Sequence, residues 1–248
     1  MMEKIVLKTL QQNGFVIIPN YIDSTICKEI SQSIDEFNRR ENPKIQFDEG
    51  MGGDARIFNF EKHNKFVLNF ANDKKLLKLV GDYAKKKQIT KTVLAGKVTY
   101  DKSKNSNSGG DWHRDGDVKI MKAMLYLSDV TKDNGPFCFV KNSNTFDFKR
   151  RNNKYSFLRR ILFFLKGLPV KPPRYSNNEI INDPRMKKDI FRIEGKSGTV
   201  IIFDGNYIHR GDIIKSDKRY TLTNYYSPFE ERNAINYIKN KFKKFVLN

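Results

Sequence analysis

Residues 198–226 read GTVIIFDGNYIHRGDIIKSDKRYTLTNYY. Thr199 to Phe203 is a short apolar, β-branched run that follows Ser197-Gly198, and it predicts a buried strand. Asp204-Gly205-Asn206 has turn chemistry, because Asp and Asn bond to nearby backbone and Gly accepts unusual dihedrals. Tyr220 to Tyr226 predicts a second strand. Working upstream, similar short runs cover Thr92 to Tyr100, Lys119 to Leu127 (stopped by Ser128 and Asp129) and Phe137 to Val140, after the turn Asn134-Gly135-Pro136. Short strands at this spacing point to a sandwich or barrel.

The first part of the chain has a different texture. Residues 3 to 13 can form a helix that Gly14 ends, and Phe15 to Ile18 is a short strand stopped by Pro19. Residues 24 to 38 follow Asp23, a good N-cap, and put Ile26, Ile30, Ile34 and Phe37 on one helical face. Residues 73 to 86 repeat the pattern with Leu76, Leu77, Val80, Tyr83 and Ala84. The Gly-rich stretch from Glu49 to Asp54 reads as a loop. The expected architecture is therefore mainly β with flanking helices: a jelly-roll core behind a helical N-terminal part, in one domain spanning 1–248.

The 248 residues suffice for a substantial core, and 19 Phe with 11 Tyr are too many for a disordered chain. Lys and Arg number 47 against 28 Asp and Glu, a net charge of +19. Such a field attracts polyanions, anionic membranes or anionic substrates. Neither zinc-finger spacing nor an RNA-binding aromatic motif accompanies it, so nucleic acid is not the expected partner. Cys27 and Cys138 stand far apart, which fits a reducing compartment. The N-terminus shows no secretory pattern, and no run approaches the roughly 18 apolar residues of a membrane span. The expected location is the cytoplasm. Oligomeric state is not legible.

The segment 149–174 interrupts the β pattern with many Lys and Arg and no Asp or Glu. Phe157, Leu158, Ile161, Leu162, Phe164 and Leu165 fall on one helical face, with Arg159, Arg160 and Lys166 on the other. A basic amphipathic helix of this kind either covers an active site or rests on the cytoplasmic face of an anionic membrane. Lys239 to Val246 could add to the same surface.

Chemistry centres on the histidines, of which there are three. His113-Arg114-Asp115 is a His-x-Asp triplet, and on a strand residues two apart share a face. His113 and Asp115 can thus offer a nitrogen and an oxygen to one metal ion. His209 supplies the third ligand, and two imidazoles with one carboxylate suit Fe(II) with open positions. Taken alone the triplet also fits a surface His beside a solvated carboxylate. Arg219, ten residues after His209, can hold a carboxylate with two parallel hydrogen bonds, and Thr221 shares its face. A dicarboxylate cosubstrate could then chelate the iron at one end and meet Arg219 at the other. An ordinary surface ion pair is the alternative for Arg219.

NGFVIIPNYID near the start, WHRDGD, MLYLSDVTKDNGPFCFVKNSN and the stretch quoted first together resemble the phytanoyl-CoA dioxygenase (PhyH-like) family of Fe(II)/2-oxoglutarate oxygenases. The resemblance spans most of the chain and keeps the family's order of motifs. It implies a double-stranded β-helix, cupin-like, with iron bound by His113, Asp115 and His209 and 2-oxoglutarate bound by Arg219. It further implies O2 as co-reactant and hydroxylation of a substrate C–H. Related halogenases lack the carboxylate that Asp115 provides. Family members often carry Pro-Gly-Ser-His where this chain has Lys141-Asn142-Ser143-Asn144, a position read here as structural.

Lys97 and Thr99 share a strand face before the triplet and are candidates for touching the cosubstrate. His63 reads as a solvated surface residue, Trp112 as core on the face opposite His113, Arg56 as a loop arginine and Cys138 as a small buried residue. The expected substrate is a small molecule, lipid or glycan. The competing readings are an oxygenase acting on nucleic acid, suggested by charge, and a binding protein of the same fold without turnover.

Overall fold

A computed structural model describes residues 2–41, 54–100, 102, 111–116, 119–144 and 174–229. Helix α1 (Met2–Asn13) stops at Gly14, whose φ of 79° lies in the left-handed region. Helix α2 (Ser24–Glu41) starts after Asp23, whose Oδ1 accepts the Thr25 N–H at 2.7 Å, and buries Cys27, Ile30 and Ile34. Helices α3 (Lys65–Ala71) and α4 (Lys74–Ala84) follow, capped by the side chains of Asn64 and Asp73. The expected helix at 73–86 is α4. Helix α3 was not expected, because its seven residues, KFVLNFA, are too few to show a helical period.

The strands are β1 (Phe15–Ile18), β2 (Asp54–Ile57), β3 (Gln88–Thr99), β4 (Trp112–His113), β5 (Met121–Tyr126), β6 (Phe137–Val140), β7 (Arg174–Tyr175), β8 (Ile190–Ile193), β9 (Val200–Asp204), β10 (Ile208–Gly211) and β11 (Lys218–Pro228). They form two antiparallel sheets. One has the order β1-β9-β5-β11-β3-β2, the other β7-β4-β10-β6-β8. Short helices α5 (Asn177–Ile181) and α6 (Pro184–Lys187) precede β8.

Strand β9 shows why the opening stretch is apolar throughout. Val200 and Ile202 pack into the core between the six-stranded sheet and the helices. Ile201 and Phe203 point the other way, into the core between the sheets with Phe15, Tyr126, Phe137 and Phe139. A strand buried on both faces loses its polar alternation. The same alternation sorts its neighbours. Met121, Ala123 and Leu125 of β5 and Tyr220 and Leu222 of β11 face the helices. Lys122, Met124 and Tyr126, with Arg219, Thr221, Thr223 and Tyr225, therefore face the opposing sheet. A third apolar cluster, including Trp112, Cys138, Val140 and Ile208, backs the five-stranded sheet.

The expected amphipathic helix, nearly all of its segment 149–174, and the run Lys239 to Val246 lie outside the described residues, as does the Gly-rich stretch up to residue 53. No described helix is long and apolar enough to cross a membrane.

Candidate metal and cosubstrate site

Strand β10 is the centre of the site. His209 lies opposite His113 of β4 on one side and Phe139 of β6 on the other. The imidazole centroids of His113 and His209 are 4.6 Å apart. Each Nδ1 lies 2.9 Å from a backbone carbonyl, that of Asp111 for His113 and that of Tyr207 for His209. A carbonyl only accepts, so each Nδ1 carries the proton and each Nε2 keeps its lone pair.

Asp115 arrives differently from the sequence expectation. Strand β4 ends at His113, and Asp115 sits in a bend rather than two places along a strand. Arg114 is buried between them and donates to the Tyr175 hydroxyl at 3.0 Å. The Asp115 N–H donates to the Gly205 carbonyl at 2.8 Å, and Asp115 Oδ2 lies 3.4 Å from His209 Nε2. Gly205 allows this approach: a Cβ there would stand 2.0 Å from Asp115 Oδ2. The turn is fixed from below by Asp204, whose Oδ1 accepts from the N–H groups of Ile120 and Asn206 and whose Oδ2 accepts from the Tyr83 hydroxyl. One ligand atom each from His113, Asp115 and His209 falls within 4.8 Å of the others.

Charge prepares these groups for a cation. Burial pulls His209 down to about 3, against the attraction of Asp115. Burial likewise lowers His113, so both imidazoles are neutral at neutral pH. Burial raises Asp115, but the opposing charges, led by the Lys122 ammonium, outweigh it and hold the carboxyl below its ordinary range. Two neutral imidazoles and a carboxylate on one face are the donor set of a divalent iron site with open positions.

Arg219 of β11 lies beside the end of β10, the strand that carries His209. Its guanidinium runs between two glycines: a Cβ on Gly135 would lie 3.1 Å from Nη1, and one on Gly211, two residues after His209, 3.0 Å from Nη2. Thr221 shares the inner face, its Oγ1 lying 3.0 Å from where a Cβ on Gly96 would be.

Lys97 and Thr99 do not join them. Lys97 pairs across the ladder with Tyr220, a residue of the helix-side core, and its Nζ binds Asp35 of α2 at 2.7 Å. Thr99, two residues on, is exposed on that same outer face. Both were expected near the cosubstrate, and the phase of the alternation puts them on the wrong side. Arg56 is in β2, not in a loop, and pairs with Gly96 on the inner face. Trp112 faces away from His113, with Arg210 stacked 4.5 Å over its ring. Cys138 is buried behind the same sheet. His63 is an exposed residue against Phe37. Ser143 bridges strands, donating to Val140 O and accepting the Ile208 N–H, each at 2.7 Å.

One residue of the site was missed. Lys122 is the buried lysine among the described residues, and its Nζ lies 2.7 Å from Asp115 Oδ2. Burial opposes its charge, but Tyr225 and Asp115 hold the ammonium above its ordinary range. The signal was present in KIMKAMLYL, where a lysine stands in phase with Met124 and Tyr126 inside an apolar strand.

Two antiparallel sheets around a His–Asp–His cluster place the molecule among the iron- and 2-oxoglutarate-dependent enzymes of jelly-roll fold. The chain belongs to the phytanoyl-CoA dioxygenase (PhyH) family, whose model matches residues 10–220. Among curated proteins none matches it in sequence. Solved structures of similar fold include the α-ketoglutarate-dependent epimerase SnoN from nogalamycin biosynthesis, at 13% identity and a TM-score of 0.67, covering 92% of this chain and 83% of SnoN. HygX from Streptomyces hygroscopicus, with nickel and 2-oxoglutarate bound, is 16% identical with a TM-score of 0.59, covering 91% of this chain and 87% of HygX. EctD from S. alaskensis is 13% identical with a TM-score of 0.60, covering 90% of this chain and 75% of EctD.

Proposed function

We propose that this chain hydroxylates an unactivated C–H of a small molecule, with His113, Asp115 and His209 holding iron(II) and Arg219 holding the distal carboxylate of 2-oxoglutarate. The observation that carries the reading is the convergence of three ligand atoms within 4.8 Å with a guanidinium threaded past Gly211, two residues from His209. When bound, the metal supplies dioxygen activation coupled to oxidative decarboxylation of the cosubstrate.

The chain's own residues do the rest. The Asp111 and Tyr207 carbonyls fix the two imidazoles with Nε2 forward. The Gly205 carbonyl fixes the Asp115 backbone. Arg219 offers a rigid two-pronged donor, and the Thr221 hydroxyl can share the same carboxylate. Phe137 and Phe203, with ring centroids 5.7 and 5.2 Å from that of His209, keep water from its buried side. Related halogenases lack the carboxylate that Asp115 provides, so its presence supports hydroxylation in this reading.

Small-molecule substrates fit the fold neighbours, which include HygX with hygromycin B and SnoN with nogalamycin RO. A substrate screen that reads succinate formation tests the proposal. Substrate-stimulated succinate with a product heavier by one oxygen supports it. A product without added oxygen would reassign the outcome to epimerisation or ring closure.

A further inference from the structure

On the side of the six-stranded sheet away from the metal site, α1, the start of α4 and the end of β1 enclose a cavity of about 1060 Å³. The sheet's alternation fixes which side this is. Ile18 of β1 shares a face with Val16 of the helix-side core. Phe137 and Phe203, which flank His209, belong to the core between the sheets. A ligand in the cavity is separated from His209 by the sheet itself.

Leu76 is the buried floor. Val6, Leu7, Ile18, Ile22 and Leu79 are the walls, each packed against the helix-side core yet only half-buried. These aliphatic side chains line a hollow, so a single molecule can cover them and release the water they hold. The hollow is preformed, because both ends of α4 are tied down. Asp73 caps the helix, accepting the Lys75 and Leu76 N–H groups at 2.8 and 3.0 Å, and the Tyr21 hydroxyl at 2.9 Å joins the β1–α2 connection to it. Near the other end the Tyr83 hydroxyl donates to Asp204 Oδ2 at 3.2 Å.

The rim sets the sign of the ligand. Lys4, Lys74, Lys75 and Lys78 stand against Glu3, Asp73 and Asp82, four cations to three anions, a surplus of one positive charge. Two of the anions are committed, Asp73 to Tyr21 and the helix cap, and Asp82 to Lys78 at 2.7 Å. Lys4, Lys74 and Lys75 are exposed and outnumber Glu3. Lysine stems can lie along an apolar wall while the ammonium groups reach an anionic head.

We propose that this cavity is a second binding site, distinct from the metal and cosubstrate site, for a free alkyl carboxylate of the fatty-acid type. The chain lies over Leu76 between α1 and α4, and the carboxylate meets the lysines of the rim.

The test titrates the full chain by calorimetry with decanoate, octanoate and neutral decanol, each below its micellar range. The wild type should bind one decanoate per chain saturably. Octanoate, two methylenes shorter, should bind about tenfold more weakly. Decanol should bind more weakly than decanoate by about threefold or more. The exposed pair Lys74→Gln/Lys75→Gln should erase most of that preference and leave decanol unchanged. Leu79→Gln, its fold checked by melting, should weaken both ligands by about tenfold; should it not fold, the lysine pair decides alone. His209→Ala should bind decanoate as the wild type does. Absence of saturable binding, equal affinity for decanol, or wild-type decanoate binding in the lysine pair would overturn the proposal. Loss of binding in His209→Ala would move the carboxylate to the metal site, and capture by phosphatidylglycerol vesicles without binding of decanoate would make the face a membrane contact. Either result would also overturn it.

Discussion

His113 and His209 are direct partners across the β4–β10 ladder, with ring centroids 4.6 Å apart and both Nδ1 atoms tied to carbonyls of their own loops. Pairing opposite residues of adjacent strands is the shortest way for a sheet to aim two imidazoles at one point. Asp115 completes the set by a hydrogen bond to the turn that precedes β10.

Removing a ligand should therefore remove the metal without unfolding the protein. His209→Ala and Asp115→Ala should each weaken Mn(II) binding by more than about 100-fold, beyond what loss of an outer partner gives. Calorimetric titration of the wild type should give one site per chain. Wild-type affinity in either variant would show that the ion binds elsewhere.

Gly205 is a sharper probe, because it has no side chain to supply a ligand atom. A Cβ at this position would stand 2.0 Å from Asp115 Oδ2. Gly205→Ala should displace the carboxylate and weaken metal binding by about tenfold or more, with secondary structure unchanged by circular dichroism. Unaltered metal affinity would mean the turn can yield.

Arg219→Ala should weaken 2-oxoglutarate binding by about 2–3 kcal/mol, the range for hydrogen bonds to a charged group. Arg219→Lys should recover part of this, since it keeps charge and loses the fork. Adding bulk to the glycines beside the guanidinium, as in Gly211→Ala, should also weaken the cosubstrate and leave the metal in place. An unchanged cosubstrate affinity in Arg219→Ala would locate the anchor elsewhere.

Asp204 gives a pH signature. Burial raises its pKa above the ordinary range, despite the hydrogen bonds it accepts from Asn206, Ile120 and Tyr83. A carboxyl raised on folding binds its proton more tightly in the native state. The stability it contributes is present below the unfolded value of about 3.9 and is lost as pH rises through the raised folded value. Asp204→Asn abolishes this titration, so its melting temperature relative to the wild type should climb from about pH 4 upward. A constant difference across that range would contradict the assignment.

Much of this was legible in the sequence, for identifiable reasons. Strands β1 and β6 were read to the residue, because each is an apolar run between turn residues. His113, Asp115, His209 and Arg219 stood out because few histidines exist and the motifs hold a family's order. The failures trace to phase and length. Lys97 and Thr99 alternate in step with Tyr220, whose packing against the helices no sequence pattern reveals. Strands β7 and β8 and helices α5 and α6 have two to five residues each and mix polar with apolar residues, so no apolar run like that of β1 or β6 marks them. Lys122 was passed over because a lone lysine in a strand is usually read as an edge or surface residue. Its burial depends on the opposing sheet.

The most direct measurement is an anaerobic titration of the purified chain with 2-oxoglutarate, before and after one equivalent of iron(II), followed in the visible. The account predicts a charge-transfer band that saturates at one cosubstrate per iron. It also predicts no band without metal, and none in His209→Ala. Absence of the band in the iron-loaded wild type, or its survival in His209→Ala, would contradict the assignment of this site.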